Sequence, residues 1–320
     1  MAFAALLTTM RKPFFISCVM LLCALKGAAQ YDPSFSHYWA METSFNPAAA
    51  GKEKVVNFVG AYAMTMVGFE NAPKTMYAAA DMPFFALGAY HGVGAMFMND
   101  QIGVFSHKRF ALQYALKRPL LGGVLSIGVN VGALSENMDG SKLDMERSDD
   151  PAFSSGDQTG TGIDLGVGLY FVHADWYAGV SVLHANAPLV EIGEKNELQV
   201  DRTYYLTGGY NIHLRNPFFT IHPSVLGRTD GLNWRADVGC RVKYQYEKRM
   251  FYAGASYSPT NSVTMLVGGN FHGVSLGYSY EVYTNGISFG NGSHELCVGY
   301  QTELDFGKKG RNRHQSVRIL

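Results

Sequence analysis

The chain has 320 residues, no formal net charge, 47% hydrophobic and only 16% charged residues, with 36 glycines, 19 tyrosines and 20 phenylalanines. Charge this sparse lies well under the roughly 25% of soluble domains, and without a basic surplus there is no footing for nucleic acid. So many glycines and aromatics suit strands joined by tight turns and argue against a helical architecture.

The N-terminus reads as an export signal. Arg11 and Lys12 form its positive region, Phe14 to Leu25 its apolar run, and Gly27 and Ala29 the small residues before a cut between Ala29 and Gln30. The basic pair comes late, which makes Met10 a candidate start. A membrane anchor is the competing reading, but an apolar run of about 12 residues falls short of the ~20 that span a bilayer as a helix. Cleavage removes three basic groups and no acidic ones, leaving 23 basic against 26 acidic residues. It also removes Cys18 and Cys23, so Cys240 and Cys297 remain.

Residues 30–53 are polar, contain Pro33 and Pro47, and show no periodicity; they are expected to form a periplasmic or lumenal N-terminal segment. Alternation with period two then takes over. Leu165, Val167, Leu169 and Phe171 point one way, with Asp164, Gly166 and Gly168 on the other face. Ala236, Val238, Cys240, Val242 and Tyr244 likewise oppose Arg235, Asp237, Gly239, Arg241 and Lys243. About fourteen such segments follow, near 54–64, 73–82, 90–99, 104–117, 122–135, 161–172, 175–184, 201–212, 218–228, 231–244, 249–258, 261–271, 273–283 and 293–304.

These runs exceed the ~5–6 residues of strands in soluble sheets and match the ~9–11 of tilted strands that cross a bilayer. An even count lets an antiparallel sheet close, leaving no unpaired edge in lipid. The sequence therefore predicts an all-β fold, a transmembrane antiparallel β-barrel of about 14 strands over residues 54–306. The long gaps, near 136–160, 185–200 and 284–292, all follow odd-numbered segments. Long external loops and short periplasmic turns give that parity and put both termini in the periplasm. Residues 307–320 carry Lys308, Lys309, Arg311, Arg313 and Arg318 without an acid. They form a basic C-terminal tail, either solvated or an arm for a periplasmic partner.

No catalytic, cofactor-binding or metal site is predicted. Ser293, His294 and Glu295 look like triad members, yet on a strand His294 faces away from the other two. The ten histidines stand singly, none at zinc-site spacing from another ligand. The acidic stretch 136–160 lacks the spacing of a calcium loop and reads as solvated. Cys240 is expected outward and Cys297 inward, which argues against a disulfide.

Several short strings together resemble one family. The start Gln30-Tyr31-Asp32-Pro33-Ser34-Phe35-Ser36-His37-Tyr38 and the string Asn46-Pro47-Ala48-Ala49-Ala50-Gly51 are similar to the opening of the PorP/SprF family. Asn99-Asp100-Gln101-Ile102-Gly103, His222-Pro223-Ser224-Val225-Leu226, Tyr252 to Tyr257, Gly277 to Glu281 and Gly292 to Leu296 follow in order. Cys297 departs from an expected aliphatic, and the basic tail extends past the usual end. The resemblance implies an outer-membrane component of the type IX secretion and gliding machinery of Bacteroidetes, acting without catalysis in secretion or surface attachment of cargo. Its implied partners are outer-membrane lipid, periplasmic ring and peptidoglycan-linked proteins, and secreted cargo or adhesins. The alternatives are a porin-like or apolar-solute channel and, further off, a lipid-acting barrel enzyme. The strings also have local readings as turn formers: Asn46-Pro47, Gly51, and Asp100 with Gly103 about a hairpin.

Overall fold

The computed structural model describes residues 32–140, 157–193, 196–247, 249–284 and 292–303. In chain order the strands are β1 (Val56–Met64), β2 (Lys74–Ala86), β3 (Ala89–Ile102), β4 (Phe105–Leu120), β5 (Gly123–Met138), β6 (Gln158–Val172) and β7 (Trp176–Leu183). They continue with β8 (Leu189–Ile192), β9 (Asn196–Gln199), β10 (Thr203–Tyr210), β11 (Ile212–His213), β12 (Phe219–Thr229) and β13 (Trp234–Tyr246). The last four are β14 (Arg249–Ser258), β15 (Ser262–Phe271), β16 (Val274–Tyr283) and β17 (Ser293–Thr302).

Fourteen of these strands form one closed antiparallel barrel, with β10 paired to β12 and β1 to β17. Each of the fourteen expected segments corresponds to one barrel strand. Closure fixes Val56 opposite Thr302 and Met64 opposite His294, so both ends of the barrel sheet lie at one rim. That rim carries the tightest connections. Leu87-Gly88, Leu121-Gly122 and His272-Gly273 are two-residue turns with positive φ at both positions, the geometry that matches strand twist.

The alternation sorts side chains as expected. Phe110, Leu112, Tyr114, Ile127, Val129, Val131, Leu165, Val167 and Leu169 are exposed on the outside, forming an apolar band for lipid. Aromatic pairs cluster near the short turns: Phe85 with Tyr90, Phe171 with Trp176, Phe219 with Tyr244, and Phe251 with Phe271.

Two features exceed the sequence reading. Strands β2 to β6 run past their expected ends, to between 13 and 16 residues. β2 and β4 gain residues at the short turns; β3, β5 and β6 each gain three at the long connections, where outward positions turn polar (Asn137, Thr159), so the wall rises beyond the apolar band there and the alternation signal fades. The stretch 185–200, expected as a loop, contains the β8–β9 hairpin. Its Val190 and Ile192 pack with Leu134, Met138 and Val200 against the inner side of the raised wall.

Candidate functional site

Residues 32–53 thread the lumen from one rim to the other. Asp32 meets His184, the residue after β7, together with Tyr205 and Arg228, at the rim of the long connections. Three 3-10 turns, Tyr38–Ala40, Glu42–Ser44 and Pro47–Ala49, then lead to Gly51 and the short-turn rim. His37, Met41, Asn46, Ala48 and Ala50 have no exposed surface. Parity alone puts both ends of the mature chain at one rim. The barrel strands do meet there, but Asp32 lies at the opposite rim because the lead-in runs through the barrel.

Glycines in the wall make room for it. A Cβ on Gly128 would lie 2.2 Å from Ala48 N, one on Gly168 2.1 Å from Asn46 Oδ1, and one on Gly92 1.9 Å from Ala50 O. This is why the lumenal face reads as small in sequence. The string Asn46 to Gly51 has a local role at each end. Asn46 Oδ1 accepts from Ala48 N and caps the last turn, with Pro47 at its first position. Asn46 Nδ2 donates to Leu169 O at 3.0 Å and Val180 O at 3.4 Å. Gly51, at φ +62°, donates its N–H to Asp81, and any side chain there would strike Met82 O.

Wall side chains satisfy much of the lead-in backbone, as a buried chain requires. Gln113 donates to Thr43 O, Arg109 to Ser44 O, Ser181 to Phe45 O, and Arg228 to the carbonyls of Asp32 and Pro33. Lys52 pairs with Glu42 at 2.6 Å, and Tyr170 donates to the same carboxylate. Near Asp32, a cavity of about 20 Å³ has Phe35, Tyr38, Met98, Tyr205 and Leu226 in its lining.

The charged centre of the site is a buried chain of four groups. Arg109 Nε donates to Asp164 at 2.8 Å, Asp164 meets His184 Nδ1 at 2.8 Å, and His184 Nε2 meets Asp32 at 3.2 Å. With a carboxylate on each nitrogen, the imidazole must carry both protons. Burial opposes that charge, but Asp32 and Asp164 outweigh it and raise the His184 pKa to about 9. Burial also acts against ionisation of Asp32, yet His184 and Arg109 hold its carboxyl below the ordinary 3.8.

A raised histidine contributes fully below its ordinary 6.5 and loses the contribution as pH climbs through about 9. A lowered carboxyl contributes fully above 3.8 and loses it as pH falls below that value. Amide protection factors of residues 34–38 are therefore expected to peak between about pH 4 and 6.5 and to drop by pH 10. His184→Gln should abolish the alkaline drop; an unchanged drop would separate it from this residue.

The residues considered for chemistry separate as follows. Glu295 faces the lumen, accepts from Ser36 N and His37 N, and meets His37 Nδ1 at 2.6 Å. His294 bonds Tyr278 on the other face, and Ser293 bonds Tyr283. The three do not converge. Asp100 accepts from Thr75 inside β3, while the turn itself is Gly103-Val104. Cys240 is exposed and Cys297 buried. Among the described residues no three His, Cys, Asp or Glu side chains are grouped to hold a metal ion. Most of the acidic stretch, 141–156, and the tail lie outside the described residues.

The histidine partners escaped sequence reasoning. His37, His107 and His184 each meet a carboxylate, Glu295, Glu136 and Asp164, at separations of 258, 29 and 20 residues. Only the barrel register brings them together.

A closed fourteen-stranded barrel with an apolar outer band is an outer-membrane protein. The chain matches the PorP/SprF model, type IX secretion system membrane protein, over residues 27–300. It belongs to that family and is a membrane component of the type IX secretion system. No curated protein matches it. Among solved structures it is similar to the CymD monoaromatic hydrocarbon channel, at 11% identity over 83% of this chain and 93% of that one, with a TM-score of 0.49. A Pseudomonas aeruginosa FadL homologue shares 10% identity over 80% and 92%, at 0.45. A triple mutant of Rhodopseudomonas blastica porin shares 10% over 78% and 99%, at 0.32. At these identities and scores no ligand or transport role passes from them to this chain.

Proposed function

We propose that the protein assists the secretion or surface attachment of cargo by binding other proteins, without catalysis. The observation that carries this reading is the lead-in packed through the lumen, fully buried at His37, Met41, Asn46, Ala48 and Ala50. A barrel filled by its own chain offers its rims rather than a conduit. In this reading the long connections and the raised wall face outward, toward cargo or adhesins. The short turns face the periplasm, toward ring and peptidoglycan-linked proteins. Residues 1–29 are the export signal, and residues 307–320 form a basic tail on the periplasmic side.

The test is a deletion strain complemented by the full chain, with mild-detergent purification from native envelopes. Loss of secreted or surface-attached cargo and recovery of periplasmic type IX components support the proposal. Normal secretion, with the barrel recovered alone, would overturn it.

A further inference from the structure

The lumenal face of β12 and β13 carries a cationic cluster in which no side chain makes an ion pair among the described residues. Arg241 stands opposite His222 in the ladder, and Lys243 follows two residues later, opposite Tyr252 of β14. Arg241 is 5% exposed, and its guanidinium lies 3.6 Å above the ring of Trp39. Its Nε is buried without a hydrogen-bond partner. Among the described residues neither Arg241 nor Lys243 has an ion-pair partner. Arg109, Arg235 and Lys52, by contrast, each hold a carboxylate.

A buried guanidinium without an anion is costly, and such groups are ordinarily paired. The cluster is also reachable. Ala40, next to Trp39, is exposed between the buried Tyr38 and Met41, and His222 and Lys243 are half-buried. Arg241 and Lys243 lie in the half of β13 that runs to the short-turn rim.

We propose that this cluster receives an acidic peptide segment entering from the short-turn rim, with two alternate carboxylates on Arg241 and Lys243. Residues i and i+2 of a strand are about 6.7 Å apart, and an extended peptide repeats its same-side groups at that spacing. Lipid headgroups meet the outer face of the barrel, whereas these cations are inside it. The chain's own tail has the wrong sign, with five basic groups and no acid over residues 307–320. The inference rests on the reading that the protein works by binding, and names the chemistry of its partner on the short-turn side.

The mature protein, refolded in detergent, is titrated with hexaglutamate and separately with inorganic phosphate, using calorimetry and tryptophan fluorescence. Hexaglutamate is expected to bind in a salt-sensitive way and to change the emission of Trp39. Lys243→Gln should weaken binding about tenfold, while Arg241→Lys, which keeps the charge, should weaken it less. Circular dichroism checks that both variants keep the barrel. No hexaglutamate binding, or equal binding by Lys243→Gln, overturns the inference. So does phosphate binding as tightly as hexaglutamate, which would mark a small-anion site. If hexaglutamate fails to bind while the deletion strain still loses secretion, this inference falls and the proposed function stands. Hexaglutamate binding combined with normal secretion supports this inference and overturns the proposed function.

Discussion

Gly168→Leu is expected to convert a silent barrel into a conducting one. The added Cβ would lie 2.1 Å from Asn46 Oδ1 and 3.2 Å from Pro47 Cδ, so one side must move. Residue 168 is held by ladders to both β5 and β7. The lead-in at that point is held by Asn46 Nδ2 bonding to Leu169 and Val180 and by its own cap. The lead-in therefore yields. Displacing Asn46 forfeits three hydrogen bonds, each worth about 1 kcal/mol net, and loosens the packing of the lead-in against the wall. In planar bilayers the wild type should show no steady conductance and Gly168→Leu a persistent one. Gly60→Leu is the control, since its Cβ points outward and meets nothing nearer than 3.6 Å. A silent, correctly folded Gly168→Leu, or a conducting wild type, would sink the filled-lumen account.

Asp164→Ala should be the most destabilising single change in the lumen. Asp164 has no exposed surface and bridges Arg109 to His184. Removing it takes the only carboxylate among the described residues that bonds Arg109 and leaves His184 with Asp32 alone, at a cost of about 3–5 kcal/mol. The midpoint of reversible urea unfolding in detergent should fall accordingly. Asp164→Asn keeps the shape and should lose less. Replacing Arg109, Asp164, His184 and Asp32 together by apolar residues of similar volume should recover most of the loss, because a buried ionic group adds little net stability over well-packed apolar neighbours. If Asp164→Ala and the quadruple replacement are equally unstable, the deficit comes from packing rather than stranded charge.

The barrel was legible because lipid imposes a rule on every outward position. Ile163, Leu165, Val167 and Leu169 must be apolar whatever their partners are, so period two is visible in one strand alone. The lead-in obeys no such rule. Its backbone is satisfied by Gln113, Arg109, Ser181 and Arg228, side chains that come from β4, β7 and β12. Gly128 and Gly168 were visible as small lumenal residues, but what they make room for is a contact 80 and 122 residues away in the chain. Charges on a lumenal face, such as Arg109 and Asp164, were the available hint: a strand that carries them inward needs partners there.

The contact between His37 and Glu295 joins residues 258 positions apart. Glu295 lies on β17, the strand whose pairing with β1 seals the sheet. Contacts this distant in sequence form late, after the intervening chain has been organised. Sealing and the anchoring of Ser36 and His37 are thus coupled: until the last strand arrives, the lead-in lacks that anchor and the sheet lacks its seam. An assembly intermediate with thirteen strands would present an open edge together with a lead-in unanchored at Ser36 and His37.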